Sequence, residues 1–93
     1  MRLDLWLKRV CLLKSRSLGK RGCQSGDILL NGEAVKESHG LRSGEILQMN
    51  FPSRRLEIEV LTIPTGNVTK KDAPDYYRVL DEELIPRDLG SGI

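Results

Sequence analysis

Aromatic side chains are scarce in this 93-residue chain: one Trp, one Phe and two Tyr, 4% of the residues. Readers of single-stranded nucleic acid stack bases on such rings, so that mode of binding is disfavoured. Histidine occurs once, as His39, in a predicted loop where it is expected to be exposed and inert. Cysteine occurs twice, as Cys11 and Cys23, without CxxC spacing or a His/Cys cluster. That pattern fits two reduced core thiols and argues against a zinc site or a disulfide framework. No apolar run approaches the roughly 18 residues of a membrane span. The opening MRLDLWLKRV carries an acid at Asp4 and no small-residue cleavage site. A signal peptide is therefore not expected, and the cytoplasm is. P-loop, Rossmann and zinc spacings are missing, and no serine lies near an evident base. Neither an enzyme nor a cofactor nor a metal is expected.

What is present is unevenly placed charge. The net charge is only +2. Yet the first 24 residues hold Arg2, Lys8, Arg9, Lys14, Arg16, Lys20 and Arg21 against the single acid Asp4, a net +6. The remaining 69 residues carry eight cations and twelve acids, a net −4. Solvated helix faces usually mix both signs, so a segregated positive region implies a face made for an anionic partner.

Hydrophobic spacing predicts the elements. Leu3 to Leu13 reads as a helix with Leu3, Trp6, Leu7, Val10, Cys11 and Leu13 on one side. Asp4 favours its N-terminal end. Leu5 and Leu12 do not fit that stripe; they either meet a second packing surface or are exposed. Ser15 is a suitable N-cap for a second helix from Arg16 to about Gln24, ended by Gly26. Its wheel gathers Leu18, Gly19, Gly22 and Cys23 on one face and Arg16, Ser17, Lys20 and Arg21 on the other. Small residues on the inner face let the first helix approach closely and leave the outer face cationic.

Ile28–Leu30, Asn31-Gly32 and Ala34-Val35 form a hairpin signal, because a type I′ turn needs positive φ at both central residues. Leu47, Met49 and Phe51 alternate with polar residues, as do Leu56, Ile58 and Val60, and each set reads as a half-buried strand. By the same periodicity Trp6 and Phe51 belong to the core. Asp72 is placed to cap a third helix to about Leu84, with Ala73, Tyr77, Leu80 and Leu84 as its stripe. Asp72, Asp75, Asp81, Glu82 and Glu83 then read as an acidic helix surface. Residues from Ile85 on contain Pro and two Gly and are expected to be flexible. The expected fold is α+β: two packed N-terminal helices on a small, mostly antiparallel sheet, plus a C-terminal helix. Residues 1–64 would form the main unit, and 65–93 a connector, helix and tail.

The segments RLDLWL, KSRSLGKR, SGDILLNGEAVK and LRSGE stand in the order and spacing of a known family. The chain resembles the S4 RNA-binding domain family, named after the fourth small-subunit ribosomal protein, over about Arg2 to Phe51. It is similar to the short, free-standing members, since there is no room for a joined catalytic domain. The resemblance implies binding to large-subunit ribosomal RNA. For the short members it further implies action on stalled large subunits that still hold peptidyl-tRNA. It places Arg2, Ser15, Arg16, Lys20, Asn31 and Lys36 on the RNA side. Two positions depart from the family pattern: Gly19, where alanine is usual, and Gly22, where a larger apolar residue is usual.

The residues themselves add Lys8, Arg9 and Lys14 at the end of the first helix. Folded RNA offers phosphates and 2′-hydroxyls at fixed spacing, which suits cations held on rigid elements. Asn31 serves either the turn alone or the turn and RNA. Tyr76-Tyr77 either dock a helix or touch tRNA or another ribosomal partner. The leading function is thus a non-catalytic rRNA-binding module in quality control or rescue of stalled chains, expected to be monomeric. An adaptor for an acidic protein and an RNA chaperone away from the ribosome are the alternatives.

Overall fold

A computed structural model describes residues 1–85 of the chain; the tail from Pro86 on, expected to be flexible, lies outside the described residues. Helix α1 spans Leu3–Arg9 and buries Leu3, Trp6 and Leu7, with Val10 completing the same face. It is shorter than the spacing predicts. Cys11 takes a φ of 62°, a left-handed conformation that an α-helix cannot continue through. The N–H groups of Leu12 and Leu13 both fold back onto the Leu7 carbonyl, at 3.0 and 3.1 Å. This turn leaves Leu12 and Leu13 half-buried against the core and Cys11 exposed. Only Cys23 is therefore a core thiol.

Helix α2 spans Arg16–Ser25 as expected. The Leu18 N–H donates to Ser15 Oγ at 3.3 Å, and Gly26 ends the helix at φ 81°. The two inner glycines act on different neighbours. A Cβ on Gly19 would lie 3.2 Å from both Cα and Cβ of Asp4, so this glycine brings α2 down onto the first turn of α1. A Cβ on Gly22 would lie 2.5 Å from Ile28 Cδ1, so this one accommodates the sheet instead. A larger side chain here is incompatible with Ile28 as placed.

The sheet has five antiparallel strands in the order β2-β1-β3-β4-β5. They are β1 Ile28–Leu30, β2 Glu33–Ala34, β3 Ile46–Asn50, β4 Arg54–Val60 and β5 Tyr77–Leu84. Asn31 and Gly32 join β1 to β2 with φ of 49° and 83°, both positive as the two-residue turn demands. One sheet face carries Ile28, Leu47, Met49, Leu56, Ile58 and Val60, all buried against α1, Cys23, Leu41 and Ala73. Trp6 sits at the centre, donates from Nε1 to the Thr62 carbonyl at 3.2 Å and meets Tyr77 edge to face. Phe51 is half-buried at the core margin under the Arg54 guanidinium, 5.3 Å from its ring centre.

The C-terminal helix expected from Asp72 to Leu84 is not formed. A short 3₁₀ turn, Ala73–Tyr76, precedes β5, which pairs with β4 along its length. Two causes outweigh the helical spacing of Ala73, Tyr77, Leu80 and Leu84. The open hydrogen bonds of β4 accept a partner, and Tyr77 and Val79 favour strands. Charges then match across the ladder: Arg54–Glu82 at 2.8 Å, Arg55–Glu83 at 3.6 Å and Arg78–Glu59 at 3.8 Å. The acids read as a helix surface are thus partly strand partners, and Leu80 and Leu84 remain exposed.

The loop after β2 is stitched to the start of the chain. Leu3 N–H donates to the His39 carbonyl at 2.9 Å, Asp4 N–H to Glu37 at 3.2 Å, and Leu41 N–H to Met1 at 2.8 Å. His39 is half-buried rather than exposed. Its Nε2 lies 3.0 Å from Glu45 Oε2, while Glu45 Oε1 accepts from the Arg42 N–H at 2.6 Å. It braces this loop.

Candidate RNA-binding interface

The first turns of α1 and α2 cross, and Asp4 lies at the crossing. It is the one buried charged residue among the described residues, 4% exposed. Its Oδ1 accepts from the Leu5 N–H at 2.8 Å and from Arg2 Nε at 3.2 Å. Its Oδ2 faces Arg2 Nη2 at 3.4 Å and Arg16 Nε at 3.5 Å. A carboxylate can stay buried and charged only with partners of this kind. Arg2 and Arg16 remain about half exposed, at 48% and 46% of their side-chain surface. Each guanidinium has five N–H donors, so the edges not turned to Asp4 stay free for an outside acceptor.

Lys20 follows Arg16 by one turn on the same exposed face of α2. Like charges at this spacing cost a helix a few tenths of a kcal/mol, about 0.2–0.5. Lys36 is exposed on the loop whose Glu37 carbonyl is bonded to Asp4 N–H. Arg2, Arg16, Lys20 and the Lys36 loop are therefore assembled around one point. Lys14 is exposed just before the α2 cap. Lys8 and Arg9 lie at the opposite end of α1, beside a hollow that they line with Leu5, Cys11, Asn67 and Val68. The structure thus divides the candidate cations into a cluster at the helix crossing and a pair about 6–7.5 Å along α1 from Asp4.

Ser15 and Asn31 already have structural work. Ser15 Oγ accepts the capping N–H and keeps its own hydroxyl proton to donate. Asn31 Oδ1 accepts from Ile46 N–H at 3.1 Å, locking the hairpin turn to β3, while the residue itself is exposed. Sequence reasoning read Asp4 only as a helix-end charge. The signal available was its isolation: one acid among seven cations, on a helix face that also holds Leu7.

Burial pushes the Cys23 thiol up to about 11, with Glu37 and Asp4 adding in the same direction. Burial also raises Tyr77, against the opposing effect of Arg54. No group of three or more His, Cys, Asp or Glu able to hold a metal occurs among the described residues. No helix there is long and apolar enough to cross a membrane.

Comparison with known proteins points the same way. The S4 domain model matches residues 1–47. A protein of Halalkalibacterium halodurans named RQC P-site tRNA stabilizing factor is 33% identical over 87 residues, covering 94% of this chain and 98% of that one. A namesake from Helicobacter pylori is 35% identical over 77 residues, 82% and 92% of the two chains. The trimeric structure of Vibrio cholerae heat shock protein 15 superposes with a TM-score of 0.79 at 25% identity, over 85% of this chain and 80% of that one. The matched span holds α1, α2, the hairpin and every candidate residue from Arg2 to Lys36, and the chain belongs to the S4 domain family.

Proposed function

We propose that this protein is a non-catalytic RNA-binding factor that works on the large ribosomal subunit in the cytoplasm, holding ribosomal RNA and the P-site tRNA during quality control of stalled chains. The observation that carries the reading is the cation set on α1, α2 and the following loop. Lys8, Arg9, Lys14, Lys20 and Lys36 make no ion pair among the described residues. Lys8, Arg9 and Lys20 stand on helices, Lys14 in the short turn between them and Lys36 on a pinned loop, so their backbone spacing is set before a partner arrives, which lowers the ordering cost of binding. The name shared by the relatives, RQC P-site tRNA stabilizing factor, supplies the ribosomal setting.

The mode that fits is recognition of backbone and shape. Trp6 is buried and one face of Phe51 is taken by Arg54, so neither ring is a free stacking platform. Affinity then falls steeply with salt, because each phosphate contact releases condensed counterions.

The test is the double variant Arg16→Glu/Lys20→Glu. Both side chains are exposed, but Arg16 also faces the buried Asp4 carboxylate, so the melting temperature should drop while circular dichroism still shows the wild-type fold. Co-sedimentation with large ribosomal subunits should fall at least about tenfold near 0.1 M salt, with a shallower salt dependence. A folded double variant that still pellets like the wild type refutes the interface.

A further inference from the structure

We propose that Asp4 is a positioning residue for RNA binding: its buried carboxylate holds Arg2 and Arg16 side by side with their free edges outward. The inference rests on the RNA-binding reading above and assigns a role that reading does not contain. An acid inside a cationic patch ordinarily weakens attraction to phosphate. Three observations reverse that expectation here.

The Asp4 side chain is only 6% exposed, so it offers little surface to an incoming phosphate. Gly19 is what permits this burial, since its bare Cα lets the α2 backbone rest on Asp4 Cα and Cβ. The contacts also leave donors over. Asp4 accepts hydrogen bonds from Arg2 Nε and Nη2, while Arg16 Nε stands 3.5 Å from Oδ2 as an ion-pair contact. Nη1 of Arg2 and the N–H donors of Arg16 make no hydrogen bond among the described residues, so both guanidiniums keep donors for a phosphate oxygen pair. Finally, Arg2 and Arg16 repel one another. A shared counter-charge keeps them close, and it removes much of the rotamer freedom each would otherwise lose on binding. One residue from α1 thereby converts an arginine before the first helix and another on the second into a two-pronged clamp.

The experiment compares Asp4→Asn, Arg2→Gln/Arg16→Gln and the triple variant with wild type. Binding is measured to isolated large ribosomal subunits and to a labelled RNA duplex across a salt series. Asp4→Asn adds one unit of positive net charge, so nonspecific attraction alone predicts tighter binding. Positioning predicts about tenfold weaker binding, a salt slope shallower by about one contact, and no further loss when the substitution is added to the arginine pair. Tighter or unchanged binding by Asp4→Asn overturns the proposal, as does a loss that adds in full to that of the arginine variant. If wild type binds and the arginine variant does not, while Asp4→Asn does, only the positioning role falls. If wild type binds neither probe, the RNA reading falls and this proposal with it.

A second measurement needs no variant. In the wild-type protein, the Nε–H signals of Arg2 and Arg16 should be dispersed and slow to exchange by NMR. Signals averaged with those of exposed Arg21 and Arg42 overturn the clamp.

Discussion

Replacing Gly22 by alanine pits two sizeable effects against each other. Alanine is the better helix former by about 1 kcal/mol, so an exposed helix would gain that much. Here the new Cβ would lie 2.5 Å from Ile28 Cδ1 and 2.8 Å from Cγ1, and Ile28 is only 4% exposed. Forcing an extra carbon into such a contact costs about 1–3 kcal/mol. Taking the middle of that range, Gly22→Ala loses about 1 kcal/mol net, which lowers the melting temperature of a domain this size by about 4–8 °C. Ile28→Val removes the nearer atom and by itself costs about 1 kcal/mol. In the double variant the new methyl occupies part of the space left by Cδ1. The Cγ1 contact persists, so relief is partial, and the two changes should couple favourably by about 1 kcal/mol. Thermal melts and urea titrations of the four proteins measure this cycle. A Gly22→Ala protein that melts higher than wild type, or a cycle with zero coupling, refutes the packing argument.

Asn31→Ala loses both the bond to Ile46 N–H and the residue type suited to φ 49°, and should cost about 2 kcal/mol in urea unfolding. Asn31→Gly loses only the bond and should cost about half as much; equal losses refute the strain component. At pH 8 the folded protein should react with a thiol reagent at exposed Cys11 and spare buried Cys23 until it unfolds. Two equally fast thiols would contradict this placement. The same burial has a pH consequence. Folded Cys23 keeps its proton up to about 11, against an ordinary 9.0, so its contribution to stability is complete below pH 9 and is lost between 9 and 11. Cys23→Ala should flatten that part of the stability profile, measured by denaturation at each pH; an unchanged slope speaks against the shift.

Local signals in the sequence were enough where one element's own residues decide its form. Ser15 and Gly26 bracket α2, Asn31-Gly32 dictates the turn, and alternation identifies β3 and β4. They failed where a distant partner decides. Residues 77–84 carry a helical stripe, yet what holds them is β4, with Arg54 paired to a glutamate 28 positions away. No window of the sequence contains both partners. The end of α1 misled for a different reason. Leu12 and Leu13 continue the apolar content, but a left-handed turn at Cys11, an uncommon conformation for a non-glycine residue, brings them to the core by another route. At the candidate interface the cations were legible as a set, whereas their division into a crossing cluster and the Lys8–Arg9 pair depends on how two helices meet.

The seam between residues 1–4 and 37–41 bears on the protein's own synthesis. All seven early cations, the last of them Arg21, leave the ribosome's exit tunnel before Leu41 does. Until that residue clears the exit tunnel, the charges hang on an unframed polycation, which can cling to any nearby polyanion but cannot read its shape. On the proposed RNA-binding reading, discrimination switches on with the closing of the seam, after the charge itself has emerged.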